Sequence, residues 1–535
     1  MKKTSILFLA PLLLIFGCKK SFLNINQNPN QPTTVTPNVV LSAALAGSAN
    51  NVGTDFPKVN NLMGYWSRSG NYVPDAQTEY YNIPNDYTDV EWTDLYNTLN
   101  SYDYIEKQGH ANNLPFYVGV AKTMKAVHFS TLVDVYNNVP YSDAFNPLTA
   151  VQPKYDKGQD IYTDLVKQLD SAVYYFDKAK TQYTSAGFPA GTLTTDDKYD
   201  IMFGRGAGGT SATAASARMD KWVSYANTVK LNLLLHEAKV ADPAYVTTEI
   251  AAITANGRGF LGPNESAAVN PGYALSTNQL NPFVGFFETA TGGPSNNAVY
   301  YRANTYAVNF YASTGDERQI SLYTALNTTT FPVGSNYEGD PNSVANSGTS
   351  AVGGTPGYGG TIKSPSQDQL IMSDFESLFI QAEAAQRGWI TGDPQALFTS
   401  AVQQNFVYLN PEQQAGTSAA SADTADANLY LSGAGLLSTD NLLKYTTWAS
   451  STNKLQLIIT QKWASLNGID WVSAWTDYRR TGFPSSDVLG ISHAPQHVQS
   501  KIPVRYPYPQ SELNTNSPNV PAVPDIFSTP PFWAQ

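Results

Sequence analysis

Apolar residues recurring on single helical stripes constrain this chain more than any motif in it. Trp92, Leu95, Tyr96, Leu99, Tyr102 and Ile105 fall three or four residues apart, the spacing that places side chains on one face of an α-helix. Phe116, Val120, Met124 and Val127 form the next stripe. Ile161, Leu165, Leu169, Ala172 and Phe176 follow, then Trp222, Ala226, Val229 and Leu233. The spacing predicts paired helices of about 20 to 25 residues. A later block repeats the pattern with Phe375, Leu378, Phe379 and Ala382, then Leu397, Ala401 and Phe406, then Leu455, Ile458, Ile459, Lys462 and Trp463. Helix pairs that bury their stripes against neighbouring pairs describe a degenerate repeat scaffold of the tetratricopeptide kind, without a strict period of about 34 residues.

Between the two blocks, from 256 to 366, Gly, Pro, Asn, Ser and Thr are dense and helical spacing vanishes. Loops longer than about 15 residues are either functional or unfolded. Phe283, Phe286, Phe287, Tyr300, Tyr301, Tyr306, Phe310 and Tyr311 within this insert argue for order. The expected organisation is one domain over 39–535: helical from 39 to 255, loop-rich from 256 to 366, helical from 367 to 480, and loops from 481 to 535.

Charge narrows the function classes. The 535 residues carry a net charge of −11 with only 32 Lys and Arg, and these are dispersed rather than clustered as phosphate neutralisation requires. A nucleic-acid partner is therefore excluded. Hydrophobic residues make up 42% with a mean hydropathy of −0.28, enough for a buried core. A single cysteine rules out internal disulfides and any CxxC metal or redox site.

That cysteine is informative by position. Lys2 and Lys3 precede an apolar run, Ile6 to Phe16, which Gly17 and Cys18 close. The run is too short to span a bilayer, which needs about 20 apolar residues, and reads as a secretory signal over 1–17. IFGC resembles a bacterial lipobox, so Cys18 is the expected lipidation site. Residues 18–38, rich in Asn, Gln, Pro and Thr, read as a flexible tether.

Several stretches, in order, resemble the SusD/RagB family of outer-membrane nutrient-binding lipoproteins of Bacteroidota: FLNINQNPNQPT, LVDVYNNVPYSDAF with PKYDKGQDIYTDLVKQLDSA, KWVSYANTVKLNLLLHEA, DFESLFIQAEAAQRGWI, QKWASLNGIDWVSAWTDYRRTGFP and KIPVRYPYPQSELNTN. The resemblance implies a mainly α, SusD-like helical-repeat scaffold with a loop-rich, partly β insert. It further implies a lipid-anchored protein on the outer face of the outer membrane. Such a protein captures a nutrient, usually a glycan, and delivers it to a SusC-type TonB-dependent transporter. It binds without cutting and needs no cofactor.

The residues offer little for catalysis. GRGAGG at Gly204 to Gly209 satisfies a dinucleotide-loop pattern but lacks the surrounding strand–helix units, and reads as a glycine loop. His493 and His497 are four apart but flank Pro495, so no metal site is assigned. Arg479 and Arg480 read as structural partners of carboxylates such as Asp477 or of carbonyls, and Glu376 and Glu383 as partners of buried bases. No catalytic residue is assigned. Saccharide recognition needs rings to stack on and polar groups for hydroxyls. Two loops supply both: Tyr65, Trp66, Arg68, Asn71, Tyr72, Tyr80 and Tyr81 in the first, and Phe286, Phe287, Asn296, Tyr300, Tyr301 and Arg302 in the insert. Two alternatives stay open: a lipid-anchored glycoside hydrolase, and a peptide- or protein-binding surface lipoprotein on the same scaffold.

Overall fold

Each early stripe folds as a helix. In chain order the principal helices are α1 (Pro37–Thr54), α2 (Asp89–Ala111), α3 (Pro115–Tyr136), α4 (Gly158–Tyr183), α5 (Ala212–His236), α6 (Pro243–Asn256), α7 (Pro282–Phe287), α8 (Asn296–Tyr300), α9 (Thr305–Thr314), α10 (Asp374–Gln386), α11 (Pro394–Leu409), α12 (Ala420–Ser432), α13 (Lys454–Leu466) and α14 (Trp471–Thr481). This computed structural model describes residues 35–70, 72–185, 198–204, 211–325, 350–352, 360–410, 420–434, 436, 441–494, 496–522 and 525–535, and Pro37–Gln535 form one unit. Cys18, the tether up to residue 34 and the glycine run from 205 to 209 lie outside the described residues.

Local chemistry sets the helix ends. Asp89 and Glu91 occupy the first turn of α2 and His110 its last, each favourable to the helix dipole. Pro115 opens α3, where its missing N–H costs nothing. The Asp470 carboxylate caps α14 by accepting from Ser473 N–H, and Gly482 ends it in the left-handed conformation. The early helices run 23, 22, 26 and 25 residues, as their stripes predict.

α2 packs on α3, α3 on α4 and α4 on α5, while α10, α11, α12 and α13 form a second set. The fold is thus mainly helical with a repeat-like succession of helix pairs. A smaller cluster of Phe379, Phe398, Phe406, Tyr430 and Ile458 fills the second set. A larger core buries Trp66, Trp222, Trp463, Trp475 and Trp533. Among the described residues no helix is long and apolar enough to cross a membrane.

Among the described residues, sheet is confined to antiparallel pairs: β1 (Trp66–Arg68) with β5 (Tyr301–Ala303), β2 (Val139–Pro140) with β3 (Tyr155–Asp156), β4 (Ala267–Val269) with β8 (Gln369–Met372), and β6 (Tyr323–Ala325) with β7 (Ser350–Val352). The described part of the insert therefore carries short helices and strands.

α1 shows how close packing depends on a missing side chain. A Cβ on Gly53 would stand 2.9 Å from Gln369 Oε1 and 3.0 Å from Pro282 Cβ, and Gln369 is buried and accepts from Phe283 N–H. Gly53→Ala is expected to cost roughly 1–3 kcal/mol by overpacking, read as a lowered urea midpoint. An unchanged midpoint would show that the contact yields.

Candidate functional site

The β1–β5 pair brings the two sequence-predicted loops together. Trp66 lies opposite Ala303, Ser67 opposite Arg302 and Arg68 opposite Tyr301. All three residues of each strand are buried, so this junction is an internal seam with loops emerging from its ends.

The candidate side chains divide by burial. Tyr65 stacks on Trp463 at 5.4 Å and donates its hydroxyl to the Trp463 carbonyl at 2.6 Å. Trp66 is enclosed by Phe286, Phe287, Tyr301 and Trp471 at 5.0–6.1 Å. Arg68 forms a forked pair with Glu79, at 2.5 and 3.3 Å, and donates to the carbonyls of Ser69 and Tyr72. Tyr81 packs edge-on against His497 and accepts from Ser492 N–H. With Phe287, Tyr301 and Arg302, these residues are buried and present no stacking face to solvent. Tyr72 and Asn296 are exposed, and Tyr80, Phe286 and Tyr300 half-buried. Asn71 lies outside the described residues.

Tyr72 and Tyr300 therefore form the open aromatic pair, edge to face with centroids 5.1 Å apart. Both are held from behind. The Tyr72 carbonyl accepts from Arg68, and the Tyr300 carbonyl accepts from Ser69 N–H at 2.7 Å. Such fixing matters because a ring already immobilised loses little entropy on binding. Val73, 84% exposed, and Val299, 42% exposed, flank the pair. Asn296 stands one helical turn before Tyr300 on α8, on the same side. Burial first, then the Asp75 carboxylate, raises the Tyr300 phenol, which stays a neutral hydrogen-bond donor.

Asp75 and Glu79 escaped the sequence reading. Asp75 caps a short helix by accepting from Gln77 N–H and Thr78 Oγ1, and Glu79 anchors Arg68. The i, i+4 spacing of the two acids in DAQTE was their only signal. Other motifs resolve as structure. Arg479 donates to the carbonyls of Asp134, Val504 and Trp475 and stacks 3.6 Å from the Trp475 ring centroid, and Arg480 binds Asp477 and Glu383. His493 bonds the Tyr306 hydroxyl at 2.9 Å. Among the described residues no group of three or more His, Cys, Asp or Glu could hold a metal ion.

A family model described as "Starch-binding associating with outer membrane" matches residues 29–509. No curated protein sequence matches. Among solved structures, a SusD homolog from Bacteroides fragilis is similar with a TM-score of 0.69 at 19% identity, over 94% of this chain and 100% of that one. One from Bacteroides uniformis has a TM-score of 0.66 at 21% identity, over 93% and 99%. A chitin-binding SusD homolog from Flavobacterium johnsoniae has a TM-score of 0.66 at 20% identity, over 92% and 98%.

Proposed function

This chain belongs to the SusD-like (SusD/RagB) family of outer-membrane nutrient-binding proteins, and from that premise we propose that it captures a saccharide through the Tyr72–Tyr300 pair and passes it on uncleaved. The recipient is a SusC-type TonB-dependent transporter, and lipid on Cys18 holds the protein on the outer face of the outer membrane. The observation that carries this reading is the backbone-anchored ring pair, exposed at Tyr72 and half-buried at Tyr300, with Asn296 and Asp75 close by. Sugar rings offer C–H faces to aromatic rings and hydroxyls to amides and carboxylates. Chitin binding by one structural relative is in keeping with a glycan ligand.

Tyr72→Ala with Tyr300→Ala is expected to weaken binding to a responsive glycan by about 5- to 100-fold, since each aromatic contact contributes about 0.5–1.5 kcal/mol. Isothermal titration against a glycan panel checks this; unchanged affinity in the double variant would move the site elsewhere. Co-purification of a large TonB-dependent barrel from native outer membranes tests the partner. Sugar release from the panel would favour the hydrolase, and peptide binding without glycan binding would favour the third reading.

A further inference from the structure

Arg302, whose guanidinium bonds the carbonyls on either side of Tyr300, has no anionic partner among the described residues. It is 5% exposed, and its Nη1 donates to the carbonyls of Ala298 and Tyr301 at 3.1 and 2.7 Å. Its Nε is buried with no acceptor. Arg68, beside it in the β1–β5 seam, has Glu79, and Arg318 and Arg480 have their own buried carboxylates. Arg302 makes no ion pair with any described residue. The one neighbouring ionisable group that acts on it is the Tyr72 phenol, against a burial that weighs on its charge. A buried guanidinium held only by carbonyls is an unbalanced charge, costly unless something else neutralises it. Guanidinium also binds carboxylate or sulfate through paired, charge-assisted bonds that a neutral hydroxyl cannot match.

We propose that the Tyr72–Tyr300 site takes an anionic saccharide whose carboxylate or sulfate is paired by Arg302. The inference rests on the saccharide-capture reading and deepens it. The rings position a sugar, and the guanidinium beside Tyr72 selects one that carries a negative charge.

The first test uses the unmodified full chain. Oligogalacturonate and its methyl ester share the sugar chain and differ at the carboxyl, charged in one and capped by a methyl group in the other, and calorimetry is expected to show the acid binding at least tenfold tighter in low salt, with the advantage shrinking as salt rises. A chondroitin sulfate fragment and its desulfated form distinguish sulfate from carboxylate as the recognised group. The second test is Arg302→Met. It is expected to abolish the preference for acid over ester while a neutral glycan still binds, with the thermal unfolding temperature lowered by no more than a few degrees through loss of the bonds to the Ala298 and Tyr301 carbonyls.

Equal affinity for acid and ester, or a preference that survives Arg302→Met, overturns the proposal. If neutral glycans bind and Tyr72→Ala with Tyr300→Ala weakens them, the saccharide reading stands while the charge selection falls. If no neutral or acidic glycan binds, both fall.

Discussion

Arg480→Met is expected to destabilise the protein by about 3–5 kcal/mol, the usual cost of removing one partner from a buried charge network. Arg480 is 4% exposed, with its guanidinium shared between Glu383, at 2.7 and 2.5 Å, and Asp477, at 2.8 Å. Asp477 also receives Lys462 at 2.9 Å, and Lys462 reaches toward Glu376 at 3.7 Å. These residues tie α10, α13 and α14 together. Removing the arginine leaves Glu383 with the half-buried Arg387 alone. Burial alone would raise the Asp477 carboxyl, and Lys462 and Arg480 together hold it down to about 2, so in Arg480→Met it rises and the cost of the loss is greatest at neutral pH. Arg480→Lys should rescue little, because one ammonium cannot reproduce a fork shared by two carboxylates. Adding Glu383→Gln to Arg480→Met should cost less than the sum of the two, by about 0.5–3 kcal/mol. Urea denaturation of the four proteins checks this, and strict additivity would show that the pair is not coupled.

A second large effect concerns pH. His128 and Asp55 line one cavity of about 90 Å³ between α1, α3, α5 and α14. His128 is buried, with Nε2 2.6 Å from Ser48 Oγ, and burial lowers its pKa from 6.5 to about 3. Below pH 6.5 the unfolded chain protonates this ring and the folded one does not, so stability falls on acidification from 6.5 toward 3, at about 1.4 kcal/mol per pH unit. Asp55 acts in the opposite direction. Burial, reinforced by Glu91 and Asp94, raises it to about 9. Its contribution is complete below about 3.8 and is lost as pH rises toward 9. Between pH 4.5 and 6.5 the two slopes cancel. Relative to wild type, His128→Gln should therefore gain, and Asp55→Asn lose, about 2–3 kcal/mol as pH falls across that window. Denaturant unfolding at pH 4.5, 5.5 and 6.5 measures both. Variants that track the wild type in parallel would show that neither group changes its proton affinity on folding.

α4 was legible because one face alone of it is apolar, with Ile161, Leu165, Leu169, Ala172 and Phe176 buried at the predicted spacing, whereas α3, buried without a break from Pro115 to Met124, was legible by the length of its apolar pattern. α1 was not distinguished as a stripe, and its sequence explains why. Gly47, Ser48, Ala49 and Gly53 pack by being small. A Cβ on Gly47 would stand 3.0 Å from Thr98 Oγ1, and small residues leave little hydrophobic periodicity. The two aromatic loops were legible in the sequence, and the direction in which each of their rings points was not. The two aromatic loops do meet at β1–β5, yet sequence cannot tell whether a loop ring points inward or outward. Trp66 and Tyr301 turn into the core while Tyr72 and Tyr300 face out, a choice made by a strand pairing between residues more than 230 positions apart. Arg68 and Arg302 look alike in sequence. Glu79, eleven residues on in a short helix, separates them.

The Trp66-to-Trp471 region also decides how the protein bears force. α1 begins at Pro37, and the chain that follows it is clasped by C-terminal helices: Trp471 donates to the Asp55 carbonyl at 2.8 Å, Trp463 to the Met63 carbonyl at 2.9 Å, and Tyr65 to the Trp463 carbonyl. Tension applied at Pro37 would therefore reach, just beyond α1, bonds to residues 398 to 416 positions away in the chain, so the leading part of the fold is held by its far end and not by α1 alone.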